Sequence, residues 1–498
     1  MSPRTDDAIA AGTAPGVMFS KNDERSWGLP FGTLIGDRVR LWCDWESATC
    51  IFAGMRRGKS QAYAIPWILS TRGAVISTGN KPDVYAATAL LRRREGHREW
   101  RFDPGNLLGL GEPAMRFDPL LIVRSYKLAK EVAGHFVSAA QKKNATVNSY
   151  FDSAAHKTLA AYMLAAALVR GDLVHVYEWL SAPRNTTPAE ILAEYGYEIL
   201  SAQVRARNQL NDRQQEGIFD MGREFLDFLG EPTFAQWVTP EDRGRVALDP
   251  DGRRRVVGVV DERPVFDPAA FATSTDTLYA VSQHGEGSPA PLVTALIGCT
   301  IEAGRRVAGR YPRGRLPSPM LAVLDEAANI CRIRDLPDMI SYCGGVGIVL
   351  VPIFQSRHQG YQIWEDDFRI VWDTANNLIC LGGNRDKDMR EDLSELIGQR
   401  TVVRETRSTG SGSTSFSQSI SREAIIPGDR LAAMPPNRAI LAAAGNRPVL
   451  IEPQMAYASP RAGDIKAAED DFLLRVRDPI ARERLSAVLT TEKEPTLD

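Results

Sequence analysis

Long hydrophobic runs are missing from this 498-residue sequence; the longest uninterrupted apolar stretch, Leu159 to Val169, has about half of the ~20 residues a helix needs to cross a bilayer. The chain is therefore expected not to span a membrane unaided. Charge of one sign is also missing: the net charge is −2 with 24% charged residues, so no global basic field advertises a nucleic-acid partner. Such binding would need local patches such as "LRRREGHR" from Leu91 to Arg98, although that run reads first as a solvated helix end. The cysteines (Cys43, Cys50, Cys299, Cys331, Cys343, Cys380) never fall at a C-x-x-C spacing, which excludes a zinc ribbon or thioredoxin-like motif and leaves reduced thiols. The histidines form no H-E-x-x-H, and no G-x-S-x-G elbow is present, so covalent hydrolase and zinc-protease chemistry find no support. His156 and His175 sit in amphipathic segments as ordinary helix residues. The N-terminal "MSPRTDDAIAAGTAPGVMF" has no apolar h-region and is not a secretory signal.

Residues 1–26 are small and polar and read as a flexible arm. After them, short apolar runs ("TCIFAG", "GAVIST", "EWRFDPGN") alternate with helical stretches, a rhythm that predicts an α/β fold with a mainly parallel sheet. From 126 to 240 the pattern becomes purely helical, with apolar residues at i, i+3, i+4 and i+7. The strand–helix rhythm returns with "DTLYAVSQ", "MLAVLDEAANI", "VGIVLVPIFQS" and "NLICLGGN". The expected organisation is one nucleotide-type α/β domain over 27–125 and 241–459, interrupted by an all-α insertion at 126–240. Residues Arg404–Arg422 are rich in Gly, Ser and Thr and predict a mobile loop or an extended hairpin. From 460 to 498 a tail with one peripheral helix is expected.

The stretch "IFAGMRRGKSQAYAIPWIL" fits a relaxed phosphate loop: Ala53 where glycine is usual, then Gly54, Met55, Arg56, Arg57, and Gly58-Lys59-Ser60. A strand leading in and a helix leading out would aim backbone N–H groups at phosphate oxygens. Lys59 would reach the β/γ-phosphates of ATP and the Ser60 hydroxyl would ligate Mg2+. By itself the pattern could also be a tight turn. The run Leu321–Leu324 then reads as a buried strand ending on Asp325 and Glu326, similar to a Walker B element. Asp325 would hold Mg2+ through water, and Glu326 would act as general base; the alternative is an acid pair capping the next helix. Gln355, at the end of the following strand, could orient water or sense the γ-phosphate, or bond locally at a helix start.

In this order these elements resemble the type IV secretion coupling proteins of the TraG/TraD conjugative DNA-transfer family, FtsK/HerA-like P-loop ATPases with a RecA-like motor domain. The resemblance also rests on "GAVISTGNKPDVYAATALLRR", "EWRFDPGN", "RFDPL", "NSYFDSAAHKTLAAYML", "LDEAANI", "FQSRHQ" and "LSELIGQRTV", and it covers Trp27 to Ala458. It implies a homo-hexameric ATPase that pumps DNA, non-specific and single-stranded, together with a relaxase or substrate protein, into type IV secretion channel components. It also implies a cytoplasmic place at the inner-membrane face, with Gln355 as the coupling residue and the helical insertion recruiting substrate. Two features depart from the family: no N-terminal membrane helices, so that either a partner supplies the anchor or this is a soluble branch or a trimmed chain, and no arginine between the Walker B strand and Gln355, where Gly344-Gly345 stand. Arg332, Arg334, Arg385 and Arg400 remain the candidate fingers. Other FtsK/HerA-class motors, and a non-hydrolysing recruitment adaptor, are the competing readings.

Overall fold

The computed structural model describes residues 28–140, 149–285, 287–410 and 413–491; the expected arm, 1–26, lies outside them. The sheet's central strands are apolar runs bounded by glycines or charges, and in chain order the strands are β1 (Leu29–Leu34), β2 (Arg40–Cys43), β3 (Thr49–Phe52), β4 (Val75–Gly79), β5 (Glu99–Phe102), β6 (Arg245–Leu248), β7 (Arg254–Val257), β8 (Thr277–Val281) and β9 (Met320–Leu324). They continue as β10 (Ile348–Phe354), β11 (Asn377–Leu381), β12 (Gln399–Gly410), β13 (Ser413–Ala424), β14 (Ala439–Ala443) and β15 (Val449–Glu452). Eleven of these form one sheet in the order β2-β1-β15-β14-β11-β3-β10-β9-β4-β8-β5. From β11 to β5 every neighbouring pair is parallel. At the other edge β14, β15, β1 and β2 extend the sheet antiparallel.

The parallel strands are buried on both faces, which is why their sequences are continuous apolar runs without polar alternation. Along β9, Leu321 and Val323 face one side while Ala322 and Leu324 face the other. The first side is covered by helices α1 (Ile65–Ser70) and α2 (Asp83–Arg94), with Trp67 fully buried there. The second carries the long helical segment: α3 (Tyr126–Ala140), α4 (Ser149–Leu168), α5 (Leu173–Leu180), α6 (Thr187–Glu194), α7 (Glu198–Asn208) and α8 (Asp212–Glu224). On the same face α9 (Ala290–Ala308) packs against α3. The apolar run in α4 has its reason here, because Leu159 to Ala166 are all buried among α3, α5, α6 and α8, as suits a helix that is apolar all round.

Two features differ from the sequence expectation. Strands β6 and β7 form an antiparallel hairpin beyond residue 240 that still belongs to the helical segment: Val256 N donates to Val169 O at 2.7 Å, and Arg254 pairs with Glu190 at 2.7 Å. Its run of arginines and aspartates hid the strand pattern. Past Pro460 the chain forms two helices, α12 (Ala462–Arg475) and α13 (Pro479–Thr491), with α11 (Lys387–Ile397) preceding them; α12 is no loose tail, since Ile465, Ala468 and Phe472 are buried and Phe472 meets the Tyr85 ring of α2 at 5.6 Å. The Ser/Thr-rich segment takes the hairpin form, β12 pairing with β13 from Gln399↔Ala424 to Gly410↔Ser413.

Candidate active site at the carboxyl edge of the sheet

Strand β10 lies between β3 and β9, with Phe354 opposite Phe52 and Pro352 opposite Leu324. Parallel strands present their carboxyl ends at one edge, and neighbours are ~4.8 Å apart, so the residues after β3 and β9 are only ~10 Å apart. A lysine side chain can bridge that gap. Three segments distant in sequence thereby share one site, at the edge where ligands of such sheets bind.

The turn after β3 is tied to β10 by Ala53 N, which donates to Phe354 O at 2.9 Å. Arg56 (φ +56°) and Gly58 (φ +74°) are left-handed; for arginine this conformation costs roughly 1 kcal/mol. The positive φ is what calls for glycine at 58; a Cβ there would stand 2.8 Å from Met455 Cε, the flexible end of a side chain that can yield. Met55 is exposed at the loop tip, and Gly54 lies beside the Arg57 stem. The Arg57 guanidinium rests on Gly383, in the loop after β11, where a Cβ would be 2.6 Å from its Cζ. From Ser60 to Ala64 the chain is wound as one π turn that runs into α1, with Ser60 buried. The first turn of a helix leaves N–H groups without helical partners, a ready anion cradle.

Lys59 enters between the two acids: its Nζ lies 2.7 Å from Asp325 Oδ1 and 2.5 Å from Glu326 Oε1. Gln355 Nε2 donates to both Glu326 oxygens, at 2.8 and 3.0 Å, and Asn329 Nδ2 donates to Oε2 at 2.7 Å. Thr78, at the end of β4, donates its hydroxyl to the Asp325 carbonyl at 2.9 Å, and Glu326 N donates to Asp325 Oδ1 at 3.0 Å. Glu326 itself is left-handed at φ +56°, ψ +38°. Burial pulls the Lys59 ammonium down, but Asp325 and Glu326 outweigh it and hold the group above its ordinary range, so it stays charged. Burial raises the Asp325 carboxyl beyond what Lys59 offsets. For Glu326 burial also pushes upward, yet Lys59, Gln355 and Asn329 bring the net shift below the ordinary value. The cluster thus holds one fixed cation against two carboxylates of unequal basicity.

The structure therefore gathers Lys59, Asp325, Glu326 and Gln355, with Lys59 delivered by the turn that starts at Ala53. Asn329, Thr78, Met455 and Gly383 join the site without having been singled out in the sequence; only Asn329 had a local signal, sitting three residues after Glu326 on a helical turn. Of the candidate arginine fingers, Arg332 is half-buried with Nε on Ala328 O at 3.2 Å, while Arg334, Arg385 and Arg400 are exposed. The "LRRREGHR" cluster is neither a bare helix end nor a free patch: Arg92 is fully buried, with Nε on Thr277 Oγ1 at 2.9 Å, and Arg93 pairs with Glu99 at 3.0 Å. His175 bonds Asp172 at 2.8 Å, and His156 bonds Lys130 O at 2.9 Å. All six cysteines are buried free thiols; burial pushes Cys299 up to about 12, far from a thiolate nucleophile. No helix among the described residues is long and apolar enough to cross a membrane.

Two family models match the sequence: type IV secretory system conjugative DNA transfer over residues 18–216, and the TraM recognition site of TraD and TraG over residues 319–436. The chain belongs to the type IV secretion coupling proteins of the TraG/TraD family. Among solved structures, this coupling-protein chain is similar to the bacterial conjugative coupling protein TrwB lacking its N-terminal 70 residues, in an unbound form. The TM-score is 0.54 at 15% identity, covering 86% of this chain and 90% of that one. The plasmid coupling protein TrwB in complex with ADP and Mg2+ gives 0.53 at 16% identity, covering 86% and 91%. At such identities the likeness shows the shared P-loop NTPase fold. No curated protein matches the coupling-protein chain by sequence.

Proposed function

We propose that the chain hydrolyses ATP with Mg2+ and uses the energy to recruit and move DNA, with its attached relaxase or substrate protein, toward a type IV secretion channel. The observation that carries this reading is the meeting of Lys59 with Asp325, Glu326 and Gln355 at the sheet edge, beside a phosphate-loop turn. The donor set fits a triphosphate–magnesium pair: amides and an ammonium suit phosphate oxygens, while a hydroxyl and a carboxylate suit a hard cation. TrwB, the structural relative, was solved with ADP and Mg2+. When bound, Mg2+ neutralises charge on the β- and γ-phosphate oxygens.

In this reading Ala53 to Ser60 cradle the phosphates, Lys59 turns from the acids to the β/γ oxygens, and Ser60 with Asp325 (through water) holds the metal. Glu326 accepts the proton of the attacking water, and Gln355 orients it. Residues 27–125 and the α/β part of 241–459 form the motor, with 126–240 and the β6–β7 hairpin packed on it as the substrate-facing insertion. A homo-hexameric ring would let an exposed arginine such as Arg385 or Arg400 reach a neighbour's γ-phosphate, and DNA would be held non-specifically through its phosphates, hence with marked salt sensitivity.

One observation favours the adaptor that binds nucleotide without turnover: the Glu326 carboxylate is engaged by three side chains. Steady-state ATP turnover, with and without single-stranded DNA, in the parent and in Glu326→Gln decides between them. Turnover that vanishes in the variant supports the motor; nucleotide binding with no parental turnover supports the adaptor.

A further inference from the structure

A carboxylate offers about four acceptor positions, and four contacts occupy those of Glu326. Lys59 and Gln355 take Oε1; Gln355 and Asn329 take Oε2. A general base needs one position open to water. Phosphate would draw Lys59 away and open a position on Oε1, but Asn329 would still hold Oε2 and with it the direction of the carboxylate. Nothing in the chemistry of the nucleotide moves Asn329, so freeing the carboxylate to turn toward water takes a separate device.

The fold supplies one. Asn329 sits on α10 (Ala327–Ile330), a helix of four residues between Glu326 and Arg332. Glu326 O accepts from Asn329 N at 2.8 Å and from Ile330 N at 3.1 Å, so the turn moves as a unit with the left-handed Glu326 backbone. At the far end, Ser138 of α3 donates its hydroxyl to Arg332 O at 2.9 Å, while Arg332 N donates to Thr294 Oγ1 of α9 at 3.2 Å. The Ser138–Arg332 hydrogen bond therefore links the helical segment to the turn that restrains the carboxylate. Asn329 of α10 and Arg332 just after it also line a cleft of about 1140 Å³ together with Ala140, Phe228 and Phe234 of the helical segment. Displacement of the helical segment relative to the sheet would act on Asn329.

We propose that Asn329 is a positioning residue that restrains Glu326, and that α10 transmits displacement of the helical segment, through Ser138 and Arg332, to release it. The proposal rests on the hydrolytic reading above. ATP turnover without DNA is measured for the parent, Asn329→Ala, Asn329→Gln, Ser138→Ala and the double variant Ser138→Ala/Asn329→Ala, with Glu326→Gln as the reference.

Loss of the amide donor is expected to raise kcat on the order of five-fold, as one charge-assisted hydrogen bond is removed. KM for ATP stays unchanged. Asn329→Gln, which keeps an amide, returns kcat toward the parent. Ser138→Ala raises kcat less, and the double variant does no more than Asn329→Ala alone, because both act on one link. If Asn329→Ala does not fold, a rise in kcat at fixed KM in Ser138→Ala still supports the link, and an unchanged kcat overturns it. Equal or lower kcat in Asn329→Ala, or additive effects in the double variant, overturns the proposal while a silent Glu326→Gln leaves the hydrolytic reading standing. A parent with no turnover at all overturns both.

Discussion

Two clusters of buried charge in this molecule look alike by composition and differ in everything that matters for chemistry. In one, Lys59 lies between Asp325 and Glu326, backed by Gln355 and Asn329. In the other, Arg243 grips Asp172 at 2.7 and 3.0 Å and reaches Glu178 at 3.1 Å, with His175 alongside. Asp172 is the N-cap of α5 and accepts from Val174 N and His175 N, so its charge is spent on closing a helix end from an extended backbone at φ −123°. The first cluster closes nothing. It includes the left-handed Glu326 at the carboxyl edge of parallel strands, with its groups drawn from three separate segments. Buried charge is thus a poor marker of a site by itself; strained backbone at a strand end is the better one.

Substitutions should separate the two clusters. Lys59→Ala should lower ATP turnover by about a hundred-fold or more, through lost phosphate contact, whereas Asp172→Asn should leave turnover per folded molecule unchanged in the same assay. The Asp172 carboxyl is held well below its ordinary range, to about 2; burial opposes this, and the bonds from His175 and Arg243 overcome it. A depressed folded-state value means stability present above pH ~4 and lost as the pH falls from ~4 toward 2, about 2 kcal/mol in all. Urea unfolding at pH 5 and pH 2.5 should show that loss in the parent and a smaller one in Asp172→Asn. Gly58→Ala combines a left-handed position with a 2.8 Å approach to Met455 Cε, so it should cost about 1 kcal/mol and weaken nucleotide binding. Met455→Ala in the same chain should recover part of the loss in a nucleotide-binding titration. The smallest effect is expected far from both clusters: Val403 and Ile420 face each other across the long hairpin at 56% and 74% exposure. Replacing both by threonine should shift the unfolding free energy by less than about 0.5 kcal/mol.

What was legible in the sequence was what is local. An apolar run followed by Gly58-Lys59-Ser60, another followed by Asp325-Glu326, and a third ending before Gln355 each announce a strand and its terminal residue, and the parallel sheet follows from their alternation with helices. The adjacency of those strands was not legible, because the order β3-β10-β9 is a property of the sheet and not of any segment. The same holds for Asn329, whose amide matters only once Glu326 is placed 2.7 Å away. Strands β6 and β7 escaped notice because "RVALDPDGRRRVV" is dominated by charge, and the first part of α12, before the amphipathic stretch at 470, because Asp470 and Asp471 interrupt the stripe of Ile465, Ala468 and Phe472. Arg92 misled in the other direction: a basic run on the page became a fully buried side chain in the fold.

The central claim is that one triphosphate and its metal are held by the turn after β3 and the end of β9 together. A crystal structure with a slowly hydrolysed ATP analogue and Mg2+ tests it most directly. The account predicts Lys59 Nζ on a β- or γ-phosphate oxygen, Ser60 Oγ on the metal, and Asp325 within one water of it. Phosphates seated away from residues 54–60, or Lys59 still bound only to Asp325 and Glu326 beside an occupied site, would contradict it.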